Sequence, residues 1–541
     1  GWPRPSCPTM RLRLSLLLAL GLVVATPEAG AQDARADCVG GVAALPDVGA
    51  FPCLGVDLVG YLSVGSFSSP GSPAATGNND IWGWTDPLTG TEYALVGTTN
   101  GTAFVDLSTP QFPRLVGKLP TSNELTPVWR DIKVYRNHAY VVADNARDHG
   151  VQVFDLTRLR GLTGDPVTFA PDAVYPGIRS AHNIVINEDT GFAYVVGFRY
   201  PAGERETLGL PASCDLPGFH VLDLADPAAP AFVTCFSDAD IEVGPRTPGY
   251  THDAQCVVYD GPDADYTDHE LCFAANEDVV TVFDVTDKSD ITIVSQAFYP
   301  STSYTHQGWL TADQRFFLTD DELDERNGLV PTQRTIVLDF LDLDDPEFAY
   351  VYDSGLPSID HNQYVRGRYS FQSNYETGLR ILDLSQVAQG TLTEAAFFDT
   401  YPDANTVSFN GQWSNYPYFE SGLVIANDGD YGLFVLRPDA SLDVTNAGGP
   451  VPRSGFSLSA PRPNPSAGDT RLTLQVDTAQ QVRAELFDVA GRRMASLYSG
   501  PATPGTRLTL AVSGTNLPAG VYVVRVVGEA FEASQRVVLT R

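Results

Sequence analysis

Val151-Gln-Val-Phe-Asp155, Val280-Thr-Val-Phe-Asp284 and Leu379-Arg-Ile-Leu-Asp383 are copies of one signal, a short alternating apolar strand that ends in aspartate. It recurs at Ala103-Phe-Val-Asp106, Phe219-His-Val-Leu-Asp223 and Thr335-Ile-Val-Leu-Asp339, and a seventh copy, Leu433-Phe-Val-Leu-Arg437, ends in arginine. The last residues of these copies, 106, 155, 223, 284, 339, 383 and 437, lie 44 to 68 positions apart. Each copy stands third in a set of four strands, after a Gly- or acid-rich loop. Four strands per period of this length predict an all-β fold, a seven-bladed β-propeller with its surplus length in loops.

Fourth strands are expected at Pro113–Lys118, Thr168–Tyr175, Ala231–Phe236, Ile291–Phe298, Phe348–Tyr352 and Ala395–Thr400, but none follows Arg437. Val56-Asp-Leu-Val-Gly-Tyr-Leu-Ser63 has the right character to fill that gap, so an N-terminal strand is expected to close the seventh blade and remove its exposed edge. The strand-ending aspartates precede turns such as Leu107-Ser-Thr-Pro110 and Leu224-Ala-Asp-Pro227. Capping a turn through backbone N–H groups is the simplest role for them.

Composition agrees with this reading. The 541 residues contain 48 Gly, 39 Pro, 27 Phe and 23 Tyr, with 43% hydrophobic and only 18% charged residues. Such a chain buries a large core in a turn-rich β fold. With 66 acidic against 34 basic residues the net charge is -32, a field that repels phosphate backbones and argues against nucleic acid as a partner.

Both ends read differently from the middle. Residues 1–31 are expected to be an over-extended start and a signal peptide: Met10, then Arg11 and Arg13, an apolar run from Leu14 to Ala25, and a cut after Ala31. That run is too short for a span, which needs roughly 20 residues, and no other stretch is long enough, so no transmembrane span is expected in the mature chain. Six cysteines then remain, and nearest-neighbour pairing gives Cys38–Cys53, Cys214–Cys235 and Cys256–Cys272 as the simplest disulfide set, although spacing alone leaves connectivity open.

An N-terminal segment (32–53), the propeller (54–440) and a polar linker (441–455) lead to a C-terminal module (456–541). This module carries alternating strands at Leu472–Val476, Val482–Asp488, Leu508–Val512, Gly520–Val527 and Ala533–Leu539, the pattern of a small β-sandwich. Pro463-Asn464-Pro465, Leu486-Phe-Asp-Val-Ala-Gly-Arg492 and Leu517-Pro-Ala-Gly-Val-Tyr522 resemble the type A C-terminal sorting domain of the type IX secretion system. The resemblance implies the type IX machinery as partner and a secreted or outer-surface destination. The V/I-x-D repeat over roughly residues 38–440 resembles the choice-of-anchor B family, related to LVIVD-repeat propellers. That resemblance implies a surface propeller and supplies no established reaction.

Aligning the starts of the first strands gives Asn79-Asp80, Arg130-Asp131, His182-Asn183, His252-Asp253, His306-Gln307, His361-Asn362 and Phe409-Asn410. Four of the eight histidines share one repeat position, where equivalent residues would ring the propeller axis. Neutral imidazoles suit a transition metal, so His182, His252, His306 and His361 are candidate ligands, with Asp131 or Asp253 as base or orienting group. The competing reading is a hydrogen-bond network between blades. Loops expected on the same face are acid-rich, among them Asp144 to Asp148, Asn276 to Asp278, Asp320 to Glu325 and Asn427 to Asp430, which admits calcium, although none has EF-hand spacing. Trp82, Trp84, Trp129, Tyr250, Tyr304, Trp309 and Trp413 are expected around the ring, packing between blades or stacking on a ligand. No G-x-S-x-G, H-E-x-x-H or P-loop motif occurs. The leading expectation is a binding or interaction propeller for an unknown extracellular ligand. The alternative is a metal-dependent hydrolase or oxidoreductase.

Overall fold

A computed structural model describes residues 35–541 apart from 124, 199, 201–202, 238–240, 242–247, 443–455, 459–460, 462–463, 477–478, 489–491, 505, 507, 515–516, 529–531 and 541. The expected signal peptide, the linker and parts of the C-terminal motifs lie outside the described residues. The fold is all-β and built from antiparallel sheets, and no described helix is long and apolar enough to cross a membrane.

Each repeat becomes one sheet, with strands in simple chain order from first to fourth. The first strands are Asn78–Thr85, Arg130–Tyr135, Ala181–Asn187, Asp253–Val258, Thr305–Leu310, Gln363–Arg366 and Gln412–Tyr416. Each lies beside the first strand of the next sheet, and the seventh lies beside the first. Apolar clusters occupy the junctions between neighbouring sheets. One joins Tyr194 and Val221 to Cys272 and Phe283, and another joins Phe273 and Val282 to Phe317 and Leu338. Alternation makes this possible, because successive side chains of the buried second and third strands point to opposite faces and meet different neighbours.

Six sheets carry a register shift where the third strand meets the fourth, at Phe104/Val105, Val221/Leu222, Val282/Phe283, Val337/Leu338, Ile381/Leu382 and Leu58/Gly60. A bulge at one repeated place raises the twist of every outer edge in the same way. The aspartates that end the third strands cap turns. Asp106, Asp155, Asp223, Asp284, Asp339 and Asp383 each accept from the N–H two residues on.

Val56–Ser63 pairs with Gly432–Pro438 and supplies the fourth strand of the last sheet. The three disulfides are Cys38–Cys53, Cys214–Cys235 and Cys256–Cys272. Two features differ from the sequence expectation. Thr168–Tyr175 is not one strand: Val167–Thr168 adds in parallel to Arg114–Pro120, and only Ala173–Tyr175 completes the second sheet. Pro171 cannot donate to a ladder, and Phe169 turns inward against Phe104 and Phe154, over Gly117, where a side chain would collide with it. The N-terminal segment is a hairpin, Val42–Leu45 and Gly49–Leu54, that extends the sixth sheet.

In the C-terminal module two sheets share one core that includes Leu472, Leu474, Leu486, Leu510, Val524 and Val537. Its five expected strands are present, and Phe456–Leu458 and Arg493–Ala502 add to them.

Gly60 sits at the bulge of the closing strand, where a Cβ would meet the Pro110 carbonyl and the Pro113 ring. Gly60→Ala is therefore expected to cost about 1–3 kcal/mol. Calorimetry reads this as a lowered thermal midpoint, and an unchanged midpoint contradicts the tight packing.

Candidate functional site

The four histidines come together. His182, His252, His306 and His361 stand at or just before the starts of four consecutive first strands, and their ring centroids follow one another at 4.5, 4.5 and 4.4 Å. Trp129 lies beside His182 at one end of the row, at 6.2 Å, and Trp413 beside His361 at the other, at 5.2 Å. The seventh inner strand begins at Gln412, not at Phe409-Asn410, so Trp413 occupies the place equivalent to a histidine. Gly411, at φ 97°, breaks the register that the alignment assumed.

Every Nδ1 in the row faces an oxygen. His252 meets the His306 carbonyl at 2.9 Å and His361 the Trp413 carbonyl at 2.6 Å. A carbonyl only accepts, so in both rings Nδ1 carries the proton. His182 meets Asp144 at 3.3 Å and His306 meets Asp320 at 2.8 Å. Glu322 lies 3.6 Å from Nε2 of His361 and accepts from the Tyr375 hydroxyl at 2.8 Å. His306, His361 and Glu322 each present a ligand atom within 4.8 Å of the others.

Burial dominates the electrostatics here. It brings the His361 imidazole down to about 3, and, with the neighbouring imidazoles, holds His306 well below its ordinary value. Burial and the charge of Glu322 hold Asp320 well above the usual carboxylate range, and Glu322 itself is raised by burial. Asp144 goes the other way: burial would raise it, but its bond to His182, the charge there and the Asn145 N–H outweigh that and lower it. At neutral pH His306 and His361 therefore offer uncharged nitrogens, the form that binds transition metals.

Polar residues at the same or nearby repeat positions hold neighbouring strands together. Asp80 accepts from Ile132 N–H, Asp131 from Ile184 N–H, and Asn183 donates to the His252 carbonyl. Gln255 accepts from Leu310 N–H, and Gln307 exchanges two bonds with Gln363. Asp131 also holds Lys133 at 2.6 Å. The expected network and the expected histidine cluster are thus both present, on adjacent residues. Asp253 is raised to about 7, chiefly by burial, and Asp80 is raised by burial and by Asp131.

Among the acid-rich loops, that of Asp320 to Glu325 is largely satisfied from within. Asp321 accepts from Ser303 and Tyr304 N–H and from the Tyr299 hydroxyl, and Asp324 pairs with Arg334. Burial, Asp360 and Asp324 push the Glu325 carboxyl up to about 12. The aromatic expectation divides as well. Trp129, Tyr304 and Trp413 attend the histidines, whereas Trp82 and Trp309 line a separate cavity and Trp84 packs on Tyr93. Tyr375 and Lys133 were not singled out from sequence, since neither repeats.

No family model and no curated protein matches the chain. Among solved structures it is similar to a protein from Lactobacillus plantarum at 13% identity, covering 81% of this chain and 100% of that one, with TM-score 0.40. It is also similar to PorZ, a surface component of the type-IX secretion system of Porphyromonas gingivalis, at 11% identity over 83% of this chain and 64% of PorZ, with TM-score 0.35. The designed protein Ika8 is similar at 8% identity over 75% of this chain and 96% of its own, with TM-score 0.39. Likenesses this distant carry no functional argument, which rests on the site itself.

Lys133 is the single ammonium set among Asp131, Asp80 and Asp253. Lys133→Met leaves those carboxylates uncompensated, at an expected cost of about 3–5 kcal/mol at pH 8. Folded-state values above the unfolded ones mean that the folded chain binds more protons across this window, so the deficit shrinks as pH falls through 7 towards 5. Urea unfolding of both proteins at pH 8 and pH 5 measures it; a deficit that grows in acid contradicts the assignment.

Proposed function

We propose that this chain is a seven-bladed β-propeller of the choice-of-anchor B and LVIVD-repeat kind, secreted or held at the cell surface, that binds a transition-metal ion at the axial mouth. The seven sheets, five of four strands and two extended to five and six, and the cyclic succession of their first strands support the propeller. The two-sheet C-terminal module supports a sorting sandwich of the type IX kind. Three disulfides fit an oxidising compartment outside the cytoplasm.

The observation that carries the metal reading is the row of four imidazoles, each anchored through Nδ1 on an oxygen. Such anchoring fixes ring orientation and leaves Nε2 as ligand. Two imidazoles bound cis to one ion, with metal–nitrogen bonds of about 2.1 Å, have ring centroids about 4.5 Å apart, which is the spacing of this row. His306, His361 and Glu322 form a three-ligand set, and the rings of His252 and His182 continue the row beside it. Asp320 and Asp144 orient rings, while Asp131 serves the network between strands. A three-ligand set leaves coordination positions for water or substrate, which favours hydrolytic or redox chemistry as a second reading over a purely structural ion.

Elemental analysis of the mature protein is expected to find about one transition-metal ion per chain, lost in the His306→Ala/His361→Ala variant. A metal-free wild type after loading with Zn, Fe, Cu and Ni overturns the reading. Deleting residues 455–541 is expected to stop delivery to the exterior, and surface display of the truncated chain defeats the sorting assignment.

A further inference from the structure

The side chains of His306 and His361 are each only 3% exposed, whereas Glu322, the third member of their set, is 17% exposed. A small molecule therefore reaches these three groups from the Glu322 side. What stands on that side decides which molecules are accepted.

Tyr375 borders Glu322 and donates to it at 2.8 Å. Its ring packs on His361 at 4.7 Å and on Phe409 at 5.3 Å. Phe409, 39% exposed, carries the guanidinium of Arg326 over its ring at 4.6 Å. Arg326 is also placed by its own loop. After Asp321 the chain closes into a helix-like turn, in which the Asn327 N–H donates to the Leu323 carbonyl at 2.8 Å. Residues four apart in such a turn share a side, so Arg326 projects beside Glu322. Its charge acts on that carboxylate, partly opposing the effect of burial.

Arg326 makes no hydrogen bond or ion pair among the described residues. The other acids of the loop are engaged elsewhere: Asp320 with His306, Asp321 with the Ser303 and Tyr304 N–H groups, and Asp324 with Arg334. An exposed guanidinium is thus held against an aromatic face at the open side of the three-ligand set. Two parallel N–H donors of a guanidinium match two oxygens of a carboxylate or phosphate, and stacking on a ring orders the fork in advance.

We propose, on the strength of the metal reading above, that this site takes small molecules bearing an oxyanion, a carboxylate or a phosphate, held between the bound ion and the Arg326 guanidinium. Glu322, as a ligand, is compensated by the ion and does not repel the incoming anion. Arg326 selects for negative charge, and Phe409 holds it in place.

Calorimetric titration of the full mature chain, loaded with one equivalent of zinc, tests this with inorganic phosphate and acetate as probes, acetamide as the uncharged control and metal-free protein as a parallel arm. At least one anion is expected to bind saturably to the zinc-loaded chain and more tightly than acetamide, and the tighter of the two identifies the oxyanion. Arg326→Gln is expected to weaken that anion about tenfold or more, the usual effect of losing hydrogen bonds to a charged group. Its zinc content should match the wild type, and Arg326→Lys should restore only part of the affinity. An anion affinity unchanged in Arg326→Gln, or equal with and without zinc, overturns this inference and leaves the metal reading standing. A wild-type chain that takes up no zinc or other transition metal overturns both.

Discussion

The pairing of Val56–Ser63 with Gly432–Pro438 is the contact on which the cyclic arrangement depends. It joins parts of the chain almost four hundred residues apart, and closing a loop of that length costs on the order of 5 kcal/mol in chain entropy. The ladder and the burial of Leu58, Val56, Leu436 and Val435 offset the cost, since a fully buried aliphatic side chain contributes about 1.5–3 kcal/mol. Without this strand the last sheet would expose an edge, and the first strands would lose the continuity that brings the histidines into one row.

Closure has an electrostatic consequence. Side chains at the strand starts are taken out of water together, and burial works against every charge among them. His361 and His306 are lowered and become neutral, Asp320 and Glu322 are raised, and Asp144, held by His182, goes the other way. The same low-polarity setting leaves Lys133 outnumbered by acids. The histidine row follows from enclosing polar groups that a more open sheet would have left solvated.

Much of the architecture was legible because it repeats. The V/I-x-D strands, their turn-capping aspartates, the closing strand and the cysteine pairs are local patterns with short-range causes, and the structure contains each of them. The strand expected over Thr168–Tyr175 was misjudged because Phe169 answers to a neighbouring sheet, a tertiary influence on a sequence that alternates well enough. The start of the seventh inner strand was misplaced for a similar reason, since Gly411 shifts the register beside an otherwise plausible Phe409-Asn410.

For the site, residue identity and repeat position were enough to single out His182, His252, His306 and His361, because equivalent positions on neighbouring first strands lie side by side. Sequence could not tell which atoms they present. The carbonyls of His306 and Trp413 come from other elements and decide the proton positions of His252 and His361, and the Tyr375 hydroxyl likewise reaches Glu322 from another element. The aromatic cavity was equally hidden, since Trp82, Trp309 and Tyr364 lie on three different strands and Tyr418 just past a fourth, with no shared motif. Periodicity and composition act along the chain, so the sequence by itself determined the strands, their order and the histidine positions. Proton placement, charge balance and enclosed volume depend on groups brought together from distant positions, and those only the tertiary structure decided.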